Sequence, residues 1–478
     1  DIGAPRYPSL YQINTRVWLS ELSARLARPA TLDDLGDAEL DLVAEKGFDW
    51  VWLLSVWSTG AAGQRVSRTQ SDRRREFEHA LPDLRDEDIG GSGFAITAYT
   101  VPPALGGDAA LARVRERLRA RGLRLMLDFV PNHTALDHPW IESRPDYYVA
   151  GTELELARTP ENYTWAGNVL RAHGRDPYFP AWPDTLQLDY SNPATQEAMA
   201  AELLRVAGQC DGVRCDMAML LLPEVFERTW GRKVKPFWPA AIARVRERFP
   251  GFLFLAEVYW DLEWALLAQG FDYAYDKRLY DRLREGNARR IREHLTAGLE
   301  FQDKLARFLE NHDEKRAAAA FEPAAHDAAA IVTFLSPGMR FFHQGQLEGR
   351  RKRVSPHLVR APAEPADRSR QDFYLRLLQI VRKPAVHDGD WALLECAPAW
   401  EGNRTSDDFL VWSWQARDGQ RLLVAVNYSD HRSQCLLRLP FAAIRLAEVM
   451  GGASLDVGAT GLSLDLPAWG YRVFETVV

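Results

Sequence analysis

Four separate segments of this chain pass from a buried apolar run into charged residues, and that pattern narrows the folds open to it. In order they are Leu127-Asp128-Phe129-Val130-Pro131-Asn132-His133, Gly212-Val213-Arg214-Cys215-Asp216-Met217, Leu253-Phe254-Leu255-Ala256-Glu257-Val258 and Phe308-Leu309-Glu310-Asn311-His312-Asp313. A short continuous apolar run reads as a strand buried on both faces of a parallel sheet. Charged side chains at the carboxyl ends of such strands are costly to place unless they perform chemistry. Here the carboxylates Asp216, Glu257 and Asp313, an arginine and two histidines arrive from four strands, as when a closed barrel assembles a site at one rim.

The surrounding pattern agrees. Strand and helix signals alternate over residues 1–385, as a parallel βα architecture requires. Strands are expected at Tyr11–Leu19, Trp50–Trp57, Leu123–Val130, Asp211–Asp216, Phe252–Val258, Phe271–Tyr275, Leu305–Glu310 and Met339–Phe342. Helical spacing covers Leu32–Lys46, Asp108–Arg121 with Asp108 as cap and Gly122 as stop, Ala194–Ala207, Ala240–Phe249 and Arg370–Arg382. Eight strands with intervening helices predict a closed (β/α)8 barrel built from residues 1–133 and 192–385. Residues 134–191 are too long for a loop plus one helix and predict an irregular insertion domain at the catalytic face. Residues 58–93 read as a second long loop, with Arg73–Arg75 on a solvated surface. From residue 386 to 478 the pattern changes to alternating strands, which predicts a C-terminal antiparallel β-sandwich.

Composition excludes several roles. The net charge of −7 has no long single-sign block behind it, which argues against nucleic acid or an anionic membrane as partner. The four cysteines have no metal-ligand spacing and no metal is expected from them. No apolar stretch reaches membrane-spanning length, and the reading leans to the cytoplasm, although a leader preceding Asp1 is compatible with the sequence. Tryptophan is frequent, and Trp57, Trp140, Trp165, Trp182 and Trp260 fall in or beside expected loops, as core or as flat platforms for sugar rings.

Carboxylates without a metal cluster suit acetal chemistry. One ionised carboxylate attacks the acetal carbon, and a protonated one donates to the leaving oxygen and later activates water. A third grips substrate hydroxyls as positive charge develops. Arg214 lies two residues before Asp216, so both side chains point to one side of the strand and the guanidinium favours the charged carboxylate.

The four segments, in this order and roughly 40 to 90 residues apart, closely resemble the four sequence regions of the α-amylase family, retaining α-glycosidases and transglycosidases on a (β/α)8 barrel. The resemblance spans the whole chain. It implies Asp216 as nucleophile, Glu257 as general acid/base and Asp313 as transition-state stabiliser. It implies Tyr99, His133, Arg214 and His312 around the substrate, with Tyr99 stacking under the reacting (−1) sugar and Asp128 as a structural partner. Departures concern substrate. Ala95 and Ala98 stand where small-substrate members carry aspartates, which argues against their blocked pocket. Met219 and Leu220 replace a Lys-His pair on the acceptor (+1) side and weaken the case for the family's calcium, which also uses an Asn like Asn132. The stretch His343–Arg350 serves either acceptor binding or a loop network. The expected activity is hydrolysis of α-glucosidic linkages through a covalent glycosyl-aspartate. Transglycosylation or glucoside isomerisation are alternatives on the same site, and a non-catalytic sugar-binding relative is the rival of another class.

Overall fold

A computed structural model describes residues 4–477. Eight parallel strands close into a barrel in sequence order. They are β1 (Ser9–Asn14), β2 (Trp50–Leu54), β3 (Arg124–Phe129), β4 (Gly212–Cys215), β5 (Leu253–Ala256), β6 (Tyr273–Tyr275), β7 (Leu305–Phe308) and β8 (Met339–His343). Apart from Arg124, Leu253 and Tyr273, which are not buried, these strands are buried along their length. The continuous apolar runs therefore do mark strands covered on both faces.

Three local expectations fail for identifiable reasons. The first strand begins earlier and stops at Asn14. The Asn14 side chain accepts a hydrogen bond from Val17 N at 3.2 Å and caps a helix, Thr15–Leu26, which takes the apolar residues read as strand. Asp108 is not a cap. The helix Gly107–Arg119 starts behind Gly106, whose φ of 107° suits glycine, and the Asp108 carboxylate accepts from Val101 N instead. Residues 58–93 are not one loop. They hold helices Ala61–Thr69 and Ser71–Ala80, tied down by an apolar cluster of Phe77, Ala80, Leu81, Ile89 and Leu358. Ile89 pairs with Leu358 across a β-bridge, so this segment and residues 351–360 form one wall. The polar majority of the segment hid those few apolar contacts.

Between β3 and β4, His133–Ala135 pairs with Thr185–Gln187, and a hairpin joins Tyr163–Ala166 to Val169–Ala172. The C-terminal region holds a six-stranded and a three-stranded antiparallel sheet. The larger has Asp390–Leu394 at one edge and Arg445–Glu448 followed by the short Leu455–Asp456 at the other. Strand Phe409–Gln415 is apolar on both faces. Phe409 and Val411 join the interior between the sheets, whereas Leu410, Trp412 and Trp414 join the barrel core, following the period of two. The indoles of Trp412 and Trp414 both donate to Leu335 O, at 2.8 and 2.7 Å. No helix among the described residues is long and apolar enough to cross a membrane.

Because Trp412 is wholly buried and bonded at this junction, Trp412→Ala removes a large packed ring and one partner of Leu335 O. A loss of about 3–5 kcal/mol in urea unfolding is expected; a loss below ~1 kcal/mol would show that the sheet contributes little to holding the barrel.

Candidate active site

Arg214, on β4, lies opposite Asp128 of β3 and Leu255 of β5. It is 0% exposed. Its Nη1 donates to Asp216 Oδ1 at 2.6 Å and, more loosely, to Asp128 Oδ1 at 3.4 Å. Its Nη2 donates to Glu257 Oε2 at 2.7 Å, and its Nε donates to the Tyr275 hydroxyl at 3.1 Å. Trp52 and Phe94 lie over the guanidinium at 5.1 and 5.3 Å, a favourable contact for a delocalised cation. One buried guanidinium thus connects three carboxylates from three adjacent strands.

The carboxylates differ in setting. Glu257 Oε2 also accepts from Met217 N at 2.8 Å, and the Tyr259 hydroxyl meets Oε1 at 2.8 Å. Met217 reaches it from a left-handed conformation, φ 42°, a strained geometry of the kind found at functional sites. Burial pushes Glu257 up to about 7 against the pull of Arg214. Burial raises Asp216 as well, again opposed by Arg214, while Asp128 and Asp313 add to the rise. Asp128, which accepts from Trp52 Nε1 at 3.0 Å, is pushed up to about 6 by burial. Asp313 is different: 47% of its side chain is open to the cleft. The surrounding walls act to raise its pKa, but His312 at 3.2 Å, Arg214 and Arg353 hold it well below the usual carboxylate range. The site therefore contains carboxyl groups whose affinities for a proton are pushed apart.

Asp216, Glu257, Asp313, His133 and His312 all line one cavity of about 350 Å³, the size of a small-ligand pocket. His312 is oriented by Gln12 at 2.8 Å and stacks on Phe94. His133 packs beside Trp182, and burial lowers it to about 4, so it is neutral at pH 7.

Other expected site residues lie elsewhere. Tyr99 does not reach the cavity. Its hydroxyl accepts from Val130 N and donates to Val130 O, and its ring packs on Trp57 and Phe129. The aromatic that lines the cavity is Phe94, five residues earlier. Arg214 contacts carboxylates and is not a lining residue. Met219 and Leu220 are buried in the turn Ala218–Leu221, and Met217 is the apolar side chain at the cavity. The His343–Arg350 stretch is a loop network: His343 and Arg316 bond Glu310, and Gln346 donates to Tyr374. Asn132 and Gln187 exchange amide hydrogen bonds at 3.0 Å in both directions. No cluster of three or more His, Cys, Asp or Glu suited to a metal occurs among the described residues.

Sequence reading missed Arg73, Glu76, Asp184, Arg353 and His357, all on the cavity wall. Arg73 is not on the solvated surface expected for it, whereas Arg74 and Arg75 form exposed ion pairs. Arg353 pairs with Glu76 and bridges the 351–360 segment to helix Ser71–Ala80. Only the helical spacing of residues 71–80 was available as a signal. Of the five tryptophans, Trp57 donates to Asp128 O and is core, Trp182 lines the cavity, Trp165 is exposed, and Trp260 meets Tyr178 edge-on.

Residues 38–263 match the family model of the α-amylase catalytic domain. The chain is 26% identical over 282 residues to the α-amylase MalA of Haloarcula japonica, covering 57% of this chain and 39% of that protein. It is 32% identical over 201 residues to the trehalose synthase/amylase TreS of Mycobacterium tuberculosis, covering 37% of this chain and 32% of that protein. The matches therefore span less than half of either relative. In fold, it superposes on a maltogenic α-amylase, AmyB, of Thermotoga neapolitana with a TM-score of 0.72 at 16% identity, covering 99% of each chain. An α-amylase from Geobacillus thermoleovorans in complex with acarbose gives 0.70 at 19% identity, covering 100% and 99%.

Replacing Arg214 by Met leaves Asp128, Asp216 and Glu257 buried without their shared cation. A loss of about 3–5 kcal/mol is expected, read by urea unfolding at neutral pH and shrinking as acid protonates the carboxyls. A loss that does not shrink in acid would refute the electrostatic origin.

Proposed function

We propose that the chain is a member of the α-amylase family and that it hydrolyses α-glucosidic linkages with retention, through a covalent glycosyl-aspartate. The observation that carries this reading is the bridging of Asp216 and Glu257 by one guanidinium, with Asp313 open to the same cavity. A single bridge between the two carboxyl groups suits the separation of about 5–5.5 Å used by retaining pairs better than the ~6.5–9.5 Å of inverting ones.

The hydrogen bonds suggest how the work divides. Asp216 Oδ1 is held by Arg214, which leaves Oδ2 to attack the anomeric carbon. Glu257 Oε2 already accepts from Arg214 and Met217 N, so the proton of the neutral acid belongs on Oε1. From there it passes to the departing glycosidic oxygen, and Oε1 then takes a proton from the incoming water. Asp313, held ionised, accepts sugar hydroxyls and opposes the positive charge of the transition state. Phe94 offers a flat face beneath the sugar, and the neutral His133 bonds its hydroxyls together with His312. The rival non-catalytic reading has to leave three carboxylates clustered at one rim without use.

Transfer to a sugar acceptor is the second reading. It is favoured by Tyr178 and Phe179, 53% and 64% exposed, with Tyr178 packed against Trp260 three residues beyond Glu257. Such aromatic faces suit an acceptor ring. Chromatography of products from maltooligosaccharides, trehalose, sucrose and isomaltose separates hydrolysis, transfer and isomerisation. The absence of turnover on every α-glucoside would refute the enzyme reading.

Asp216→Asn is expected to lower kcat by several orders of magnitude with the thermal melt unchanged; near-wild-type turnover would remove Asp216 from the nucleophile role. The general acid must be protonated when substrate binds, and Glu257 is raised to about 7. Accordingly kcat/KM should fall as pH rises through about 7, and Glu257→Gln should abolish that limb for substrates with good leaving groups. An unchanged alkaline limb in Glu257→Gln would assign it to another group.

A further inference from the structure

Of the polar groups on the cavity wall that have no part in the steps above, one is buried and unpaired. Asp184 follows Trp182 on the insertion, lines the cavity and is 2% exposed. Its Oδ2 is buried without a hydrogen-bond partner. A buried carboxylate oxygen left unpaired is costly, and oxygens in this position are matched by a ligand's donor or by a water that the ligand displaces. A Cβ placed on Gly63 would stand 3.6 Å from the Ala95 methyl and 3.8 Å from Asp184 Cβ, so Asp184 sits beside a glycine and an alanine. On its other side is His133, whose ring feels the Asp184 charge. His133 is fixed there by the pairing of His133–Ala135 with Thr185–Gln187, the strand that Asp184 immediately precedes.

We propose that Asp184 is a substrate-binding residue that accepts hydrogen bonds from ring hydroxyls of the glucosyl unit held against His133. This deepens the retaining-hydrolase reading and rests on it for the identity of the sugar. The consequence is a selectivity. A hydroxyl already joined to another sugar has no hydrogen to give, and binding such a unit would leave the carboxylate unpaired. The pocket therefore favours a glucosyl unit whose Asp184-facing hydroxyl is free.

The test is calorimetric binding of deoxynojirimycin, an unreactive glucose mimic, and of analogues each lacking one ring hydroxyl. Wild type should bind at least one analogue about tenfold to a hundredfold more weakly than the parent. Asp184→Ala should bind the parent weakly and no longer distinguish that analogue. Asp184→Asn, similar in volume, provides the same comparison should the alanine variant fail to fold. Wild type that binds none of these compounds or treats all alike overturns the inference. So does a folded variant that binds the parent within about twofold of wild type or keeps the discrimination. Wild type that discriminates but turns over no α-glucoside removes the hydrolase reading and leaves the Asp184 site standing. Hydrolysis without discrimination does the reverse.

Discussion

The Arg214 guanidinium is where the demands of the fold and of the site meet. A cation with no solvent contact inside a barrel is affordable only with counter-charges at hydrogen-bond distance, and Asp128, Asp216 and Glu257 supply them. The reverse also holds, since carboxyl groups at the ends of three neighbouring strands need that cation to stay together. Trp52, Phe94 and Tyr275 enclose the guanidinium with aromatic faces and exclude water. The strand register that places Arg214 opposite Asp128 is therefore a condition both of stability and of any chemistry at the rim.

From that centre the rest of the site is built by segments with separate structural supports. His312 and Asp313 come from the end of β7, and Gln12 of β1 sets the orientation of His312. His133 and Asp184 come from the two ends of the insertion, joined by one short pair of strands. Arg73, Glu76 and Arg353 come from two further segments joined by their own small apolar cluster. The rim carboxylates are held by the barrel, and the walls that choose a substrate are held by additions to it.

Legibility followed the same division. All eight barrel strands were anticipated within a few residues, except that β1 was placed late, because its apolar run continues across Asn14 into a helix. Asp216, Glu257, Asp313, His133 and His312 were anticipated and meet in one cavity. The error at Tyr99 is instructive. Phe94 and Tyr99 both lie on one short segment, and local sequence does not say which ring faces the barrel wall. The hydroxyl of Tyr99 settles it by bonding both backbone groups of Val130. Met219 and Leu220 were placed on the acceptor side by the family resemblance, but the turn Ala218–Leu221 buries them.

What the amino-acid sequence by itself determined is the barrel, the rim carboxylates and the reaction class they suit, since strand-end charges after apolar runs are a local pattern with a steep energetic cost. What only the tertiary structure decided is which residues wall the cavity. Arg73, Asp184 and Arg353 lie far in sequence from the ends of the barrel strands, in segments rich in polar residues. Their place depends on long-range contacts, the Ile89–Leu358 bridge and the His133–Gln187 pairing, that no local pattern encodes.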